Sequence, residues 1–280
     1  MALTSAMGSG ISGLKAMMSA LNVVGNNVAN VGTYGYKAGR INFRESIYNT
    51  LTAGSEGNNG VGGINPSQVG FGTGVGTIDL DMGTQGLEST GRNLDCALAG
   101  DGFFVVGDNN KTPDGSLLLT RVGDFKIDNQ GYLTDGAGKL VYGFSNANGT
   151  GNMEPIKVDI PYNSLKIAGN GEITYINKGN PKTAGYLAIA VVTNPNGLEK
   201  TEGPYYQQTK AAGDTEFDVA RHEKGAAEST RVMSAFMEQS GTDLAQEFAN
   251  MIVYQRGYQA NTRIITVTDN MLEDLINIKR

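Results

Sequence analysis

The sequence predicts an α+β protein in which long coiled-coil-like helices, N- and C-terminal, flank a mostly antiparallel β body. Three observations carry this. Apolar residues recur at every seventh position towards both ends of the 280 residues. Between them lie short β-type runs separated by Asp-Gly and Asn-Gly turns. Glycine is abundant, with 40 residues, whereas proline is scarce at 7, a balance that favours tight turns over stiffened linkers.

The first element is a helix over residues 1–32. Met7, Leu14, Leu21 and Val28 form one line of sevens, and Met17, Val24 and Val31 a second. Together they make an a/d seam, narrower than the apolar face of an ordinary globular helix. From Leu3 to Val31 it would be a rod of about 40–45 Å, stopped by Gly32 with Gly35 nearby. Residues 33–76 follow, ending in the Gly/Asn/Ser-rich run NTLTAGSEGNNGVGGINPSQVGFGTGVG, which reads as an extended connector.

Residues 77–207 form the β body. Its runs include GFFVVGD, SLLLTRVGDFKID, KLVYGF, EITYI and YLAIAVVT, with turns at Asp114-Gly115, Asp135-Gly136, Asn170-Gly171 and Asn196-Gly197. Their irregular spacing supports neither a propeller nor a solenoid. Residues 208–241 read as a return connector, with a short helical stretch around Thr230 to Glu238. The last element, residues 242–280, is a helix with Leu244, Met251, Tyr258, Ile265 and Leu272 spaced by sevens and Phe248 beside them. Asp243 followed by Gln246 fits a capping box at its start. Gly257 and the β-branched run Ile264 to Thr268 lower its propensity, so packing partners must hold it.

Composition excludes several functions. Net charge is −6 and charged residues are 18% of the chain, unlike the basic footprint of a nucleic-acid binder. Cys96 and His222 are the only residues of their types, which rules out cysteine-rich and multi-histidine zinc sites within one chain. Cys96 reads as a buried, inert thiol and His222 as a surface residue. No run approaches the 18 or so apolar residues of a membrane span, and no charged, continuously apolar leader precedes the first helix. The G-x-G-x-x-G of Gly8 to Gly13 lacks the preceding strand and following acid of a dinucleotide site; small residues for close helix packing suit it better. VGFGTGVG has no P-loop lysine, and DFKIDNQG, Asp124 to Gly131, lacks the calcium-loop pattern. No catalytic, cofactor-binding or metal site is expected, nor a small-molecule substrate.

What remains is assembly. A single-seam helix cannot bury its stripe alone, so self-association through the two helices follows. Asn26, Asn27 and Asn30 stand open to two readings: they cap and fray a helix end, or they fix register between packed helices as a buried Asn does in coiled coils.

SGISGLKA and LNVVGNNVANVGTYGYKAGRINF, then STGRNLDCALAGDGFFVV and LTRVGDFKIDNQGYL, then SGTDLAQEFANMIVYQRGYQANTRIITVTDNMLEDLIN, together resemble the axial proteins of the bacterial flagellum, the rod and hook family. They span about half the chain in the family's order. The resemblance implies a structural subunit, not an enzyme, exported unfolded through the flagellar type III apparatus without a cleaved signal peptide and polymerised helically beneath a distal cap. Its partners would be its own copies, rod and hook–filament junction proteins, the hook cap and the export apparatus. The terminal helices would form the inner layer of a tube, the β body an outer layer, and the connector would link them. It also favours register-fixing for the three asparagines. Two members fit: the hook, a flexible joint, and the distal rod, a stiff shaft. TYGYKAGR, STGRNLD and the final NIKR favour a short hook protein of the Gram-positive type, and the distal rod protein is the alternative. Outside the family stand a secreted β-rich glycan-active enzyme and an adhesin.

Overall fold

The computed structural model describes residues 2–56, 62–108, 117–147, 149, 152–220 and 229–278. The Asp114-Gly115 turn and His222 lie outside them. The chain is α+β, with a helix near each end and an antiparallel β body between. It divides into two compact units, one of residues 1–29, 38–80 and 242–280, the other of residues 30–37 and 81–241.

In the first unit, helix α1 spans Ala2–Ala29 and helix α2 spans Leu244–Ile278. Asp243 caps α2 by accepting from the backbone N–H groups of Ala245 (2.9 Å) and Gln246 (3.3 Å), which satisfies two of the orphan donors of the first turn. The reciprocal half of the expected capping box is missing, because the Gln246 side chain donates instead to Asn250. The expected connector is strand, not extended linker. β1 (Gly39–Glu45) pairs with β4 (Thr73–Leu80), and β2 (Tyr48–Thr52) pairs with β3 (Ser67–Gly70), both antiparallel. These strands escape a pattern search because most of their residues are exposed, so no clean alternation marks them.

The second unit holds the large core. Its main sheet has twelve strands, and every pairing among the described residues is antiparallel. β7 (Phe103–Gly107) is buried along its whole length, which is why GFFVV is continuously apolar instead of alternating. It lies against the strands Leu140–Phe144 and Asn180–Val192 on one side and Leu118–Thr120 on the other. Phe104 and Phe125 meet edge to face at 5.1 Å, with Leu133, Val158, Ile173 and Leu187 fully buried around them.

Two expectations change here. Thr215–Val219, within the predicted return connector, pairs with Asn180–Val192 and belongs to the main sheet. Thr230 to Glu238 is not helical: Arg231–Ser234 pairs with β6 (Cys96–Ala99), and Phe236–Glu238 with β5 (Leu87–Ser89). Ala235 breaks the run with φ +64, held by hydrogen bonds to Asp95 and Thr90. Pairing partners from far along the chain outweigh local helix propensity.

Cys96 is buried, and burial pushes its thiol well above the ordinary value, so it is inert as a nucleophile at neutral pH. A Cβ at Gly123 would overlap the Cys96 carbonyl oxygen, a backbone-to-backbone clash that no side-chain rotation relieves. Gly123→Ala should therefore destabilise this unit by roughly 2–4 kcal/mol, measured by urea denaturation. Gly169→Ala, whose Cβ would find only a 3.7 Å contact, should change it by under about 1 kcal/mol.

Candidate assembly surface

The helices of the first unit run antiparallel in one register. Gly13 faces Asn261, Met17 faces Gly257, and Asn27 bonds to Glu247. The contact line on α1 is Gly10, Gly13, Ala16, Ala20, Val24 and Asn27, all buried. It steps by three and four residues along one helix face. Its small residues bring the backbones together: a Cβ on Gly13 would stand 2.8 Å from the Asn261 amide nitrogen, and one on Gly257 would stand 3.1 Å from the Met17 sulfur.

The predicted seam residues fall partly on this line and partly beside it. Val24 and Asn27 are on it, whereas Met7, Leu14, Met17, Leu21 and Val28 flank it half-buried. Asn26 is exposed. Asn30, half-buried, and Val31, exposed, lie beyond the end of α1 and belong to the other unit. On α2, Met251, Tyr258, Ile265 and Leu272 are half-buried along the line of closest approach, but Leu244 and Phe248 are exposed. The reason for the offset on α1 is physical. The small residues of α1 leave room for side chains of α2, Ile265 at Gly10 and Asn261 at Gly13, so the larger residues of α1 border the contact.

Asn27 does its described work inside the chain. Its side-chain nitrogen donates to the Gly39 carbonyl (2.8 Å) and to Glu247 Oε1 (3.0 Å), and its oxygen accepts from the Gly39 N–H (2.9 Å). One amide at 1% exposure thus ties α1, β1 and α2 together. Phe43 of β1 packs edge-on against Tyr254 of α2 at 6.0 Å.

A second feature escapes the count by sevens. Val253, Ile264, Val267, Met271, Leu275 and Ile278 are each 45–81% exposed, and from Ile264 onward they recur at i+3 and i+4 steps, as one helix face must. This stripe lies about a third of a turn around α2 from the line facing α1. The β-branched run Ile264 to Thr268 reads, by propensity alone, as a weak helix; the i+3/i+4 spacing is the signal for a face. Phe248 and Ile252, 50% and 59% exposed, mark yet another face. Exposed apolar residues grouped in this way mark a candidate interaction surface. α1 is similar in kind, with Lys15 its single charged residue.

Among the described residues no helix is long and apolar enough to cross a membrane, and no cluster of three metal-binding side chains occurs. The comparisons with known proteins give the family. Family descriptions match in chain order: "Flagella basal body rod protein" over residues 7–37, "Flagellar hook protein FlgE/F/G D1 domain" over 97–175, and "Flagellar basal body rod FlgEFG protein C-terminal" over 233–278. The flagellar basal-body rod protein FlgG of Bacillus subtilis is 37% identical over 273 residues, covering 97% of this chain and 98% of its own. The FlgG of Buchnera aphidicola from Baizongia pistaciae is 32% identical, covering 94% of this chain and 95% of its own. The flagellar hook protein FlgE of Treponema pallidum is 44% identical, but over 46% of this chain and 27% of its own. This chain belongs to the flagellar basal-body rod and hook family. It is a structural component of the flagellum and not an enzyme.

Asn27→Ala should leave the Gly39 N–H and C=O without their side-chain partners and cost roughly 1–3 kcal/mol. Thermal unfolding followed at the helices would measure it.

Proposed function

We propose that this chain is the distal rod subunit, a protein that assembles helically with its own copies into the stiff shaft of the flagellum. The hook reading drawn from TYGYKAGR, STGRNLD and NIKR gives way to the alternative. Support comes from coverage: rod proteins of this type align from end to end at the same length, whereas the hook relative shares about a quarter of its own sequence. The hook-like motifs are family motifs and do not separate the two roles.

The observation that carries assembly is the exposed apolar stripe of α2. Its occupants would be helices of neighbouring copies, because polymerisation supplies the same partner to every subunit. Burying a side chain such as Met271 or Leu275 in that contact contributes about 1.5–3 kcal/mol. In this reading residues 1–32 and 242–280 pack, coiled-coil-like, as the inner layer of a tube. Residues 81–241, which take in the strands of the expected return connector, form an outer layer, and residues 38–80 belong with the helices. The exposed Ile47, Leu51, Val69 and Phe71 of the paired strands would adjust contacts between copies. The subunit would reach its place unfolded through the flagellar export apparatus.

Val267→Asp and Met271→Asp should each abolish polymerisation, since a carboxylate in a desolvated seam costs several kcal/mol. The monomer should keep its unfolding temperature, because both residues are exposed in it. Sedimentation and electron microscopy read the first, calorimetry the second; polymers of normal yield from both variants would refute the seam. Rod against hook is decided by micrographs of basal bodies from a strain lacking the protein. Truncation within the rod is the expected outcome, and a complete rod without a hook would restore the hook reading.

A further inference from the structure

Residues 30–37 leave helix α1 and lie on the β unit as a strap. The Gly35 N–H donates to the Glu238 carbonyl (2.8 Å), and the Gly241 N–H donates to the Tyr36 carbonyl (3.0 Å). Gly35 takes φ +67 and sits so close to Arg121 and Val122 that a Cβ would stand 2.9 Å from the Val122 side chain. At the end of the strap Lys37 enters the protein with its side chain fully buried. Its ammonium donates to Glu238 Oε1 (2.8 Å) and to the Gly83 carbonyl (2.7 Å). Burial lowers the Lys37 pKa, and the hydrogen bond and charge of Glu238 oppose that shift.

Glu238 is shared. Its Oε1 also accepts from the Gln85 N–H (2.9 Å), and its Oε2 faces Arg121 Nη1 at 3.6 Å, with Arg121 2% exposed. That separation is an ion pair but too long for a hydrogen bond. Neither Nε nor Nη1 of Arg121 has a hydrogen-bond acceptor among the described residues. Two buried cations therefore compete for one carboxylate. Asp81 acts on Lys37, and Asp101 on Arg121, through space only.

We propose that the strap Asn30–Lys37 is a reversible latch, closed by Lys37 on Glu238 and released when Glu238 turns to Arg121. A buried pair normally resists opening because withdrawal of one partner leaves an uncompensated charge behind. Here it does not. If Lys37 withdraws, Glu238 remains neutralised by Arg121, which gains the hydrogen bond it lacks while the strap is closed. Arg121 thus lowers the cost of opening, and a cation that stabilises its carboxylate at the same time weakens the latch.

This makes a prediction of opposite sign at two like-charged residues. In the full chain, Lys37→Met should speed hydrogen exchange at the Gly35 and Gly241 amides about tenfold relative to Val105 in the core strand. Arg121→Met should leave those two amides unchanged or slow them on the same scale, because opening would then strand a buried carboxylate. Should Arg121→Met fold poorly, Arg121→Gln serves the same test. Acceleration of the strap amides by the Arg121 variant to the degree seen with Lys37→Met would overturn the latch and leave an ordinary buried ion cluster.

Discussion

Two helices pack closely where the small residues of one leave room for the side chains of the other, and the first unit is organised by that fit. Gly10 of α1 lies against Ile265 and Asn261 of α2, Gly13 against Asn261, and Gly257 of α2 against Met17 of α1. Small residues bury little apolar surface, so this contact gains less from the hydrophobic effect than a leucine seam would. Its cohesion rests on what surrounds it: the three hydrogen bonds of Asn27 to Gly39 and Glu247, and the Phe43–Tyr254 contact. Away from that line of contact, Met18 of α1 and Ile264, Val267, Met271 and Leu275 of α2 remain exposed.

The two units therefore handle apolar surface in different ways. The β unit encloses its own: Phe104, Phe125, Leu133, Ile173, Leu187 and Ile189 are at or below 2% exposure. The helical unit keeps half or more of several large side chains in solvent, a surplus that marks an interaction surface. One chain thus combines a body that buries its own apolar surface with a helical surface that, in the assembly proposed above, would be covered by copies of itself.

How much of this could be read from the sequence depends on whether the signal was local and apolar. The sevens found both helices and the packed side of α2, where Met251, Tyr258, Ile265 and Leu272 are half-buried in a row. On α1 they found the borders, because glycine and alanine, which make the contact, carry no weight in a search for large apolar residues. The β body was legible from its turns and from runs such as GFFVV. The strands of 39–80 were not, since most of their residues are exposed and a pairing such as Arg40 with Asp79 leaves no local pattern. Val232 and Met237 are buried by strands about 135–150 residues away, which local propensity cannot anticipate. The family was legible because its motifs are long and ordered. Rod against hook was not, because those motifs belong to both.

Charge tells the same story from the other side. An isolated surface helix is ordinarily kept soluble by a charged face, and α1 has only Lys15 across 28 residues. Burying a charge in a shared interface is costly unless a partner is built for it, whereas amides and hydroxyls can pair with almost any neighbour. In the assembly proposed above, the replacement of charge by Asn and Gly along LNVVGNNVAN would serve contacts with other copies. Asn27 shows it in miniature, where one neutral side chain joins α1 to β1 and to the Glu247 carboxylate of α2. At Glu238 the protein does accept buried charge, and there it provides two cations for one carboxylate. α1 brings almost no charge to the helix pair, whereas the cluster at Glu238 buries charge whose partners are folded into the same unit.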